Sequence, residues 1–151
     1  MVVLAGSITV LAIYNAQGND PVVAVAGDQE DAWVTVQNKV LGSASDFKED
    51  RHLLYLSTRR ISYCAYKGCS VAGFTAGSGV KLLALCFAAG SAMTNVNLWS
   101  LSARRNPHRA SSDLWYYVRA GAVEGWVNEV YLTPASRGGL GLRHCDPSLT
   151  R

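Results

Sequence analysis

Charge is scarce in this chain. Lys, Arg, Asp and Glu make up 17% of its 151 residues, against about 25% in an average globular domain. The formal net charge of +3 gives no strongly basic face, so nucleic acid is not an expected partner. Proline is sparse as well, with 4 residues, and the 14 glycines follow no period. That composition excludes collagen-like and low-complexity chains. No stretch repeats its apolar residues at the 3.6-residue period of an amphipathic helix. Catalytic signatures are missing too: there is no H-E-x-x-H, no G-x-S-x-G and no phosphate-binding loop. His52, His108 and His144 are dispersed. Ser78, between Gly77 and Gly79, lacks the spacing and the following helix of a nucleophile elbow, and a turn is the simpler reading. Neither an enzymatic activity nor a cofactor is expected.

The N-terminus lacks basic residues. No Lys or Arg precedes Lys39, and the only acid in the first 26 residues is Asp20. Val2 to Tyr14 is uncharged and apolar. This is short for a spanning helix, which needs about 20 residues, but suits the apolar region of a signal peptide. Ala24-Val25-Ala26 then offers a cleavage site ahead of the polar Gly27-Asp28-Gln29-Glu30-Asp31. Residues 1–26 are therefore expected to be a signal peptide or membrane anchor, although a basic n-region is absent. An uncleaved N-terminus would be the protein's only link to a membrane. The competing reading is a buried strand, because Ser7 to Tyr14 is also good strand material.

What the chain does have is apolar residues, 49% of the total, and 4 cysteines. The first suffices for one ordinary domain. Cys64, Cys69, Cys86 and Cys145 are even in number in a short chain with an export-like N-terminus, and so predict two disulfides, with three pairings open. Their spacing is not that of a zinc ribbon, which needs two C-x2-C knuckles. His144 beside Cys145 does not make a reactive pair, because neighbours on an extended chain point to opposite faces. Cys145 is placed to tie down the tail, GGLGLRHCDPS, which has few apolar residues of its own.

The dominant period is two. Ala32, Val34 and Val36 alternate with Trp33 and Thr35. Residues 42–51 form a polar loop, and residues 52–66 read as two strand-like halves around Ser57-Thr58-Arg59-Arg60. Turns follow at Lys67-Gly68 and at Ala76-Gly77-Ser78-Gly79. VKLLALCF (80–87) is a dense strand that Ala88-Ala89-Gly90 closes, and residues 91–113 begin strand-like around Val96 and Leu98 before becoming a polar loop. LWYYVRA, a Gly turn and GWV make a hairpin. Short strands punctuated by glycine predict an all-β barrel or small sandwich.

The run from Tyr63 to Pro134 resembles a bacterial SH3-type (SH3b) domain. The resemblance is carried by Gly77-Ser78-Gly79-Val80-Lys81-Leu82-Leu83-Ala84-Leu85-Cys86, by Gly90, by Trp115-Tyr116-Tyr117-Val118-Arg119, and by Gly125-Trp126-Val127-Asn128-Glu129-Val130-Tyr131-Leu132. Gly141-Leu142-Arg143-His144-Cys145 is similar to the trailing cysteine segment of exported actinobacterial versions. The opening N-V-R-x-G-P of such domains is absent, and Cys64, Cys69 and Val71-Ala72-Gly73 stand in its place. The resemblance implies a small SH3-like barrel over 63–134, preceded by a β extension over 27–62 and followed by a tail, 135–151, tied by Cys145.

Trp126 reads as a core residue, and Gly125 as the residue that lets the backbone leave the hairpin turn. On LWYYVRA, Leu114, Tyr116 and Val118 share one face, and Trp115, Tyr117 and Arg119 the other. A thin barrel cannot bury both equally, so an exposed aromatic shelf is expected. Trp99, Trp115 and Tyr117, with Arg104, Arg105 and Arg109 on the loop 104–109, are the candidate ligand-binding residues. The resemblance implies cell-wall peptidoglycan or a wall peptide as the ligand, with the arginines pairing its carboxylates. The alternative is a structural or protein-interaction subunit of an extracellular assembly. Either way the protein is expected to be secreted or cell-wall associated.

Overall fold

The structure, a computed structural model, describes residues 11–13, 22–24, 30–41, 47–94 and 111–150. Its regular elements are strands: β1 (Leu11–Ile13), β2 (Val22–Ala24), β3 (Ala32–Thr35), β4 (Lys39–Leu41), β5 (Phe47–Glu49), β6 (Lys81–Thr94), β7 (Ser111–Ala120) and β8 (Val123–Asn128). The helical segments among the described residues are 3-10 turns of three or four residues. The fold is all-β.

Four strands form one antiparallel sheet in the order β3-β6-β7-β8, while β1-β2 and β4-β5 are separate two-stranded ribbons. The sheet does not close into a barrel by a continuous ladder. Its two edges are instead approached by isolated bridges. Val36, just beyond β3, bridges Leu132, just beyond β8, and Ser57 bridges Trp126 of β8. Residues 27–62 thus supply β3 and an edge contact to the same sheet that residues 63–134 build. The sheet runs across the boundary expected at residue 62.

The alternation in the sequence sets what each face buries. Val34, Val36, Leu82, Tyr116, Val118, Val127 and Leu132 are all within 1% of complete burial and form the centre of the main core. Tyr116 places its hydroxyl where the buried Gly139 amide donates to it at 2.7 Å. A second cluster, Trp115, Trp126 and Ala88, lies apart from the first.

A slip in β6 creates this second cluster. Ala84 lies opposite Val118, but the next registered pair is Cys86 with Tyr117, so Leu85 is an extra residue on β6. Residues directly opposite share a face, and one extra residue moves the alternation to the other side. Before the slip Leu82 and Ala84 join the main core; after it Ala88 lies opposite Trp115.

Gly90 does not end the strand. β6 continues through it to Thr94. The reason for glycine here is proximity: a Cβ would stand 2.6 Å from the Arg60 Cβ and 2.7 Å from the Trp115 Cδ1. Gly125 is likewise required by a neighbour rather than by the turn, since its Cβ would meet the Leu56 Cβ and the Val71 Cγ2 at 2.9 Å.

The four cysteines form two disulfides, Cys64–Cys69 and Cys86–Cys145, with Cα atoms 5.0 and 4.9 Å apart. Around the second, the Phe87 amide donates to the Arg143 carbonyl at 3.1 Å, and the Cys145 amide donates to the Phe87 carbonyl at 2.9 Å. The tail therefore runs parallel to β6 beyond the point where β3 stops pairing.

Candidate functional site

A cleft of about 100 Å³ opens between the strap of residues 50–63 and the end of β8. The strap is held by single bridges rather than a ladder. The amide of Leu54 donates to the Ala76 carbonyl at 2.9 Å, and Ser57 exchanges two backbone bonds with Trp126, at 2.9 and 2.7 Å. Gly125 lets it approach this closely. Asn38, 2% exposed, ties the strap to the sheet. Its Nδ2 donates to the His52 carbonyl at 3.0 Å, its carbonyl accepts from the Asp50 amide at 2.9 Å, and its own amide donates to the Ser78 hydroxyl at 2.9 Å. Ser78 thereby serves the turn, where its amide donates to Glu49 Oε1 at 2.7 Å.

Three tyrosines line the cleft: Tyr55, Tyr63 and Tyr131. Tyr63 is 53% exposed and adopts φ 59°, ψ 35° ahead of the 3-10 turn Cys64–Lys67. A left-handed conformation at a residue with a Cβ costs roughly 1–2 kcal/mol. Tyr55 accepts a hydrogen bond from the Ala65 amide at 3.1 Å, which fixes its hydroxyl against that turn. Tyr131 comes from the 3-10 turn Glu129–Tyr131, which begins where the Asn128 side chain accepts from the Val130 amide at 3.0 Å. Burial pushes the Tyr131 phenol up to about 12, reinforced by the neighbouring Tyr55, Asp50 and Tyr63. It stays neutral and able to donate across the physiological range.

Trp115 and Trp126 line the same cleft from below and are 2% and 1% exposed. The Trp115 indole donates to the Ser91 carbonyl at 3.0 Å. Trp126 packs edge-on against Tyr117, with centroids 5.1 Å apart, and carries the Arg60 guanidinium 4.9 Å above its ring. At the rim the exposed His52 has its Nδ1 3.5 Å from Oδ1 of the partly covered Asp50. The site is suited to holding a group by aromatic contact and hydrogen bonding. Among the described residues no three His, Cys, Asp or Glu gather in a metal-holding group.

The expected aromatic shelf of Trp115, Tyr117 and Arg119 is corrected by this arrangement. Trp115 is buried. Tyr117 is half-buried, and its hydroxyl donates to Glu124 Oε2 at 3.2 Å. Its phenol is raised by burial first and by Glu124 second. The Arg119 guanidinium is likewise engaged, donating to Glu124 Oε1 at 2.6 Å. The sheet buries residues on both faces because Arg60, with the loop that follows it, and Cys145 cover the second one. Trp99, Arg104, Arg105 and Arg109, and the strand expected around Val96 and Leu98, lie outside the described residues.

Tyr55, Tyr63 and Tyr131 were not among the sequence candidates. A signal existed, since Tyr55, Tyr63 and Tyr66 fall close together beside Cys64 in a stretch otherwise read as plain strand.

Comparison with protein-family models, curated proteins and solved structures found no match to this chain. The functional reading rests on the residues themselves.

Proposed function

We propose that this chain is an exported, non-catalytic binding module that holds a short extended peptide in the tyrosine-lined cleft, with a cell-wall peptide of peptidoglycan as the ligand class. The observation that carries the reading is that Tyr131, far along the chain, joins Tyr55 and Tyr63 in one cleft that Trp115 and Trp126 also line. Ligand pockets for small molecules run about 300–1,000 Å³, so a cleft of about 100 Å³ suits one side chain or a few backbone atoms of a longer ligand. The Tyr131 phenol, held protonated by burial, can donate to a peptide carbonyl. The strained backbone of Tyr63, held where its ring meets the cleft, is the kind of local cost found at ligand-binding positions. Two disulfides suit an oxidising compartment, and secretion to the cell wall is the localisation that goes with this reading. The SH3-type resemblance supports it.

Sedimentation with purified cell walls tests the proposal. Tyr63→Ala, at an exposed position, should keep the fold and lose wall binding. Trp115→Ala would instead unfold the second core, so it is unsuited to this purpose. Absence of wall binding by the intact, oxidised protein would overturn the reading. A second reading, a subunit of an extracellular assembly, is favoured by Trp33, which is 65% exposed on β3 beside Leu83 of β6. Trp33→Ala should then abolish association with a protein partner and leave wall binding intact.

A further inference from the structure

The basic residues are unevenly placed. From Arg51 to Ser112 there is no Asp or Glu, against eight Lys and Arg. Lys67 lies in the loop that the Cys64–Cys69 disulfide closes, and Arg59 and Arg60 lie in the segment leading into it. The loop is firmly fixed. The Thr58 amide and hydroxyl both donate to the Cys69 carbonyl, at 2.8 and 3.2 Å, and the Cys69 amide donates to the Cys64 carbonyl at 3.1 Å. The Ser91 amide donates to the Arg60 carbonyl at 2.9 Å, and the Arg60 guanidinium rests on Trp126. The Thr58–Cys69 bonds bring Arg59 alongside Gly68 and Lys67. What this frame holds outward is Arg59, Lys67, Tyr63 and Tyr66, the last 91% exposed. Among the described residues neither Arg59 nor Lys67 pairs with a carboxylate.

We infer that this loop is a second binding surface, for an anionic polysaccharide. The guanidinium of Arg59 and the ammonium of Lys67 take its carboxylate, sulfate or phosphate groups. Tyr63 and Tyr66 lay flat apolar ring faces, with a polar tip, against the sugar rings. Because the disulfide and the backbone bonds already order the loop, little conformational freedom is lost on binding. A polysaccharide fits better than a nucleic acid: the whole chain carries only +3, and the disulfides belong to an oxidising compartment. Tyr63 is shared with the cleft, but Arg59, Tyr66 and Lys67 do not line it, so failure of the surface, tested through those three residues, would leave the peptide reading standing.

The test is titration of the full oxidised chain with dextran sulfate, neutral dextran of equal length and oligothymidylate, across a series of salt concentrations. Dextran sulfate should bind and neutral dextran should not, with log affinity falling linearly against log salt. Arg59→Gln with Lys67→Gln should lower the magnitude of that slope by about two, one for each lost contact. Tyr66→Ala should weaken dextran sulfate binding roughly tenfold, as the loss of an aromatic contact does. All three positions are exposed, and an unchanged thermal midpoint verifies that each variant is folded. Equal binding of neutral dextran, tighter binding of oligothymidylate, an unchanged slope in the double variant, or an unaffected Tyr66→Ala protein would each overturn the inference.

Discussion

The two disulfides should contribute very differently to stability. Cys86 and Cys145 are 59 residues apart in sequence, Cys64 and Cys69 only 5. The loop-entropy relation gives roughly 4 kcal/mol for the long link and roughly 2 kcal/mol for the short one. Replacing Cys86 and Cys145 by Ala removes more than entropy, however. The link holds the tail where the Gly139 amide reaches the Tyr116 hydroxyl, and burial there raises that phenol to about 12. With the tail released, the Tyr116 pKa should fall toward about 10. Urea denaturation measures the first effect. Ultraviolet titration of the phenolates, compared with a Tyr116→Phe control, measures the second. In thermal unfolding the loss corresponds to about 10–20 °C. Equal destabilisation of the Cys64/Cys69 double variant, or a Tyr116 that titrates unchanged once the long link is gone, would refute this assignment.

Other outcomes follow from the same contacts. Gly90→Ala should cost about 1–3 kcal/mol by overpacking, because its Cβ would fall 2.6 Å from the Arg60 Cβ; denaturant midpoints read this directly. Trp126→Ala, which empties the centre of the second cluster, should cost about 3–5 kcal/mol, and a variant that retains wild-type stability would show that the cluster is not a core. Alkaline stability should depend on Tyr116 and Tyr131, both raised to about 12 mainly by burial. Since their unfolded value is about 10, their contribution is complete below pH ~10 and disappears as pH rises through ~12. Unfolding free energy measured across that window should fall, and less steeply in Tyr116→Phe.

The strand character of this chain was legible because alternation is a local property: Ala32, Val34 and Val36 announce their face without reference to anything else. The two covered faces were not. LWYYVRA carries apolar residues on both sides, and which side is solvated depends on what lies over it, namely Arg60 and Cys145. The slip at Leu85 is invisible until β6 is paired with β7. Gly90 and Gly125 look like turn glycines in the sequence, which shows only chain neighbours, whereas their constraint is a distant backbone and side chains. The cleft follows the same logic. Tyr131 reaches Tyr55 and Tyr63 only once the chain end has folded back along β3.

The extra residue in β6 has a consequence for assembly of the molecule. Cys86 is the first registered position after the slip, so the side on which its sulfur emerges is decided by whether that slip has been made. A ribbon paired one step out of place would turn the sulfur to the opposite face of the sheet, away from Cys145. Closing the long bridge therefore certifies correct strand alignment, and a misaligned chain is left with two unspent thiols by which it can be told apart.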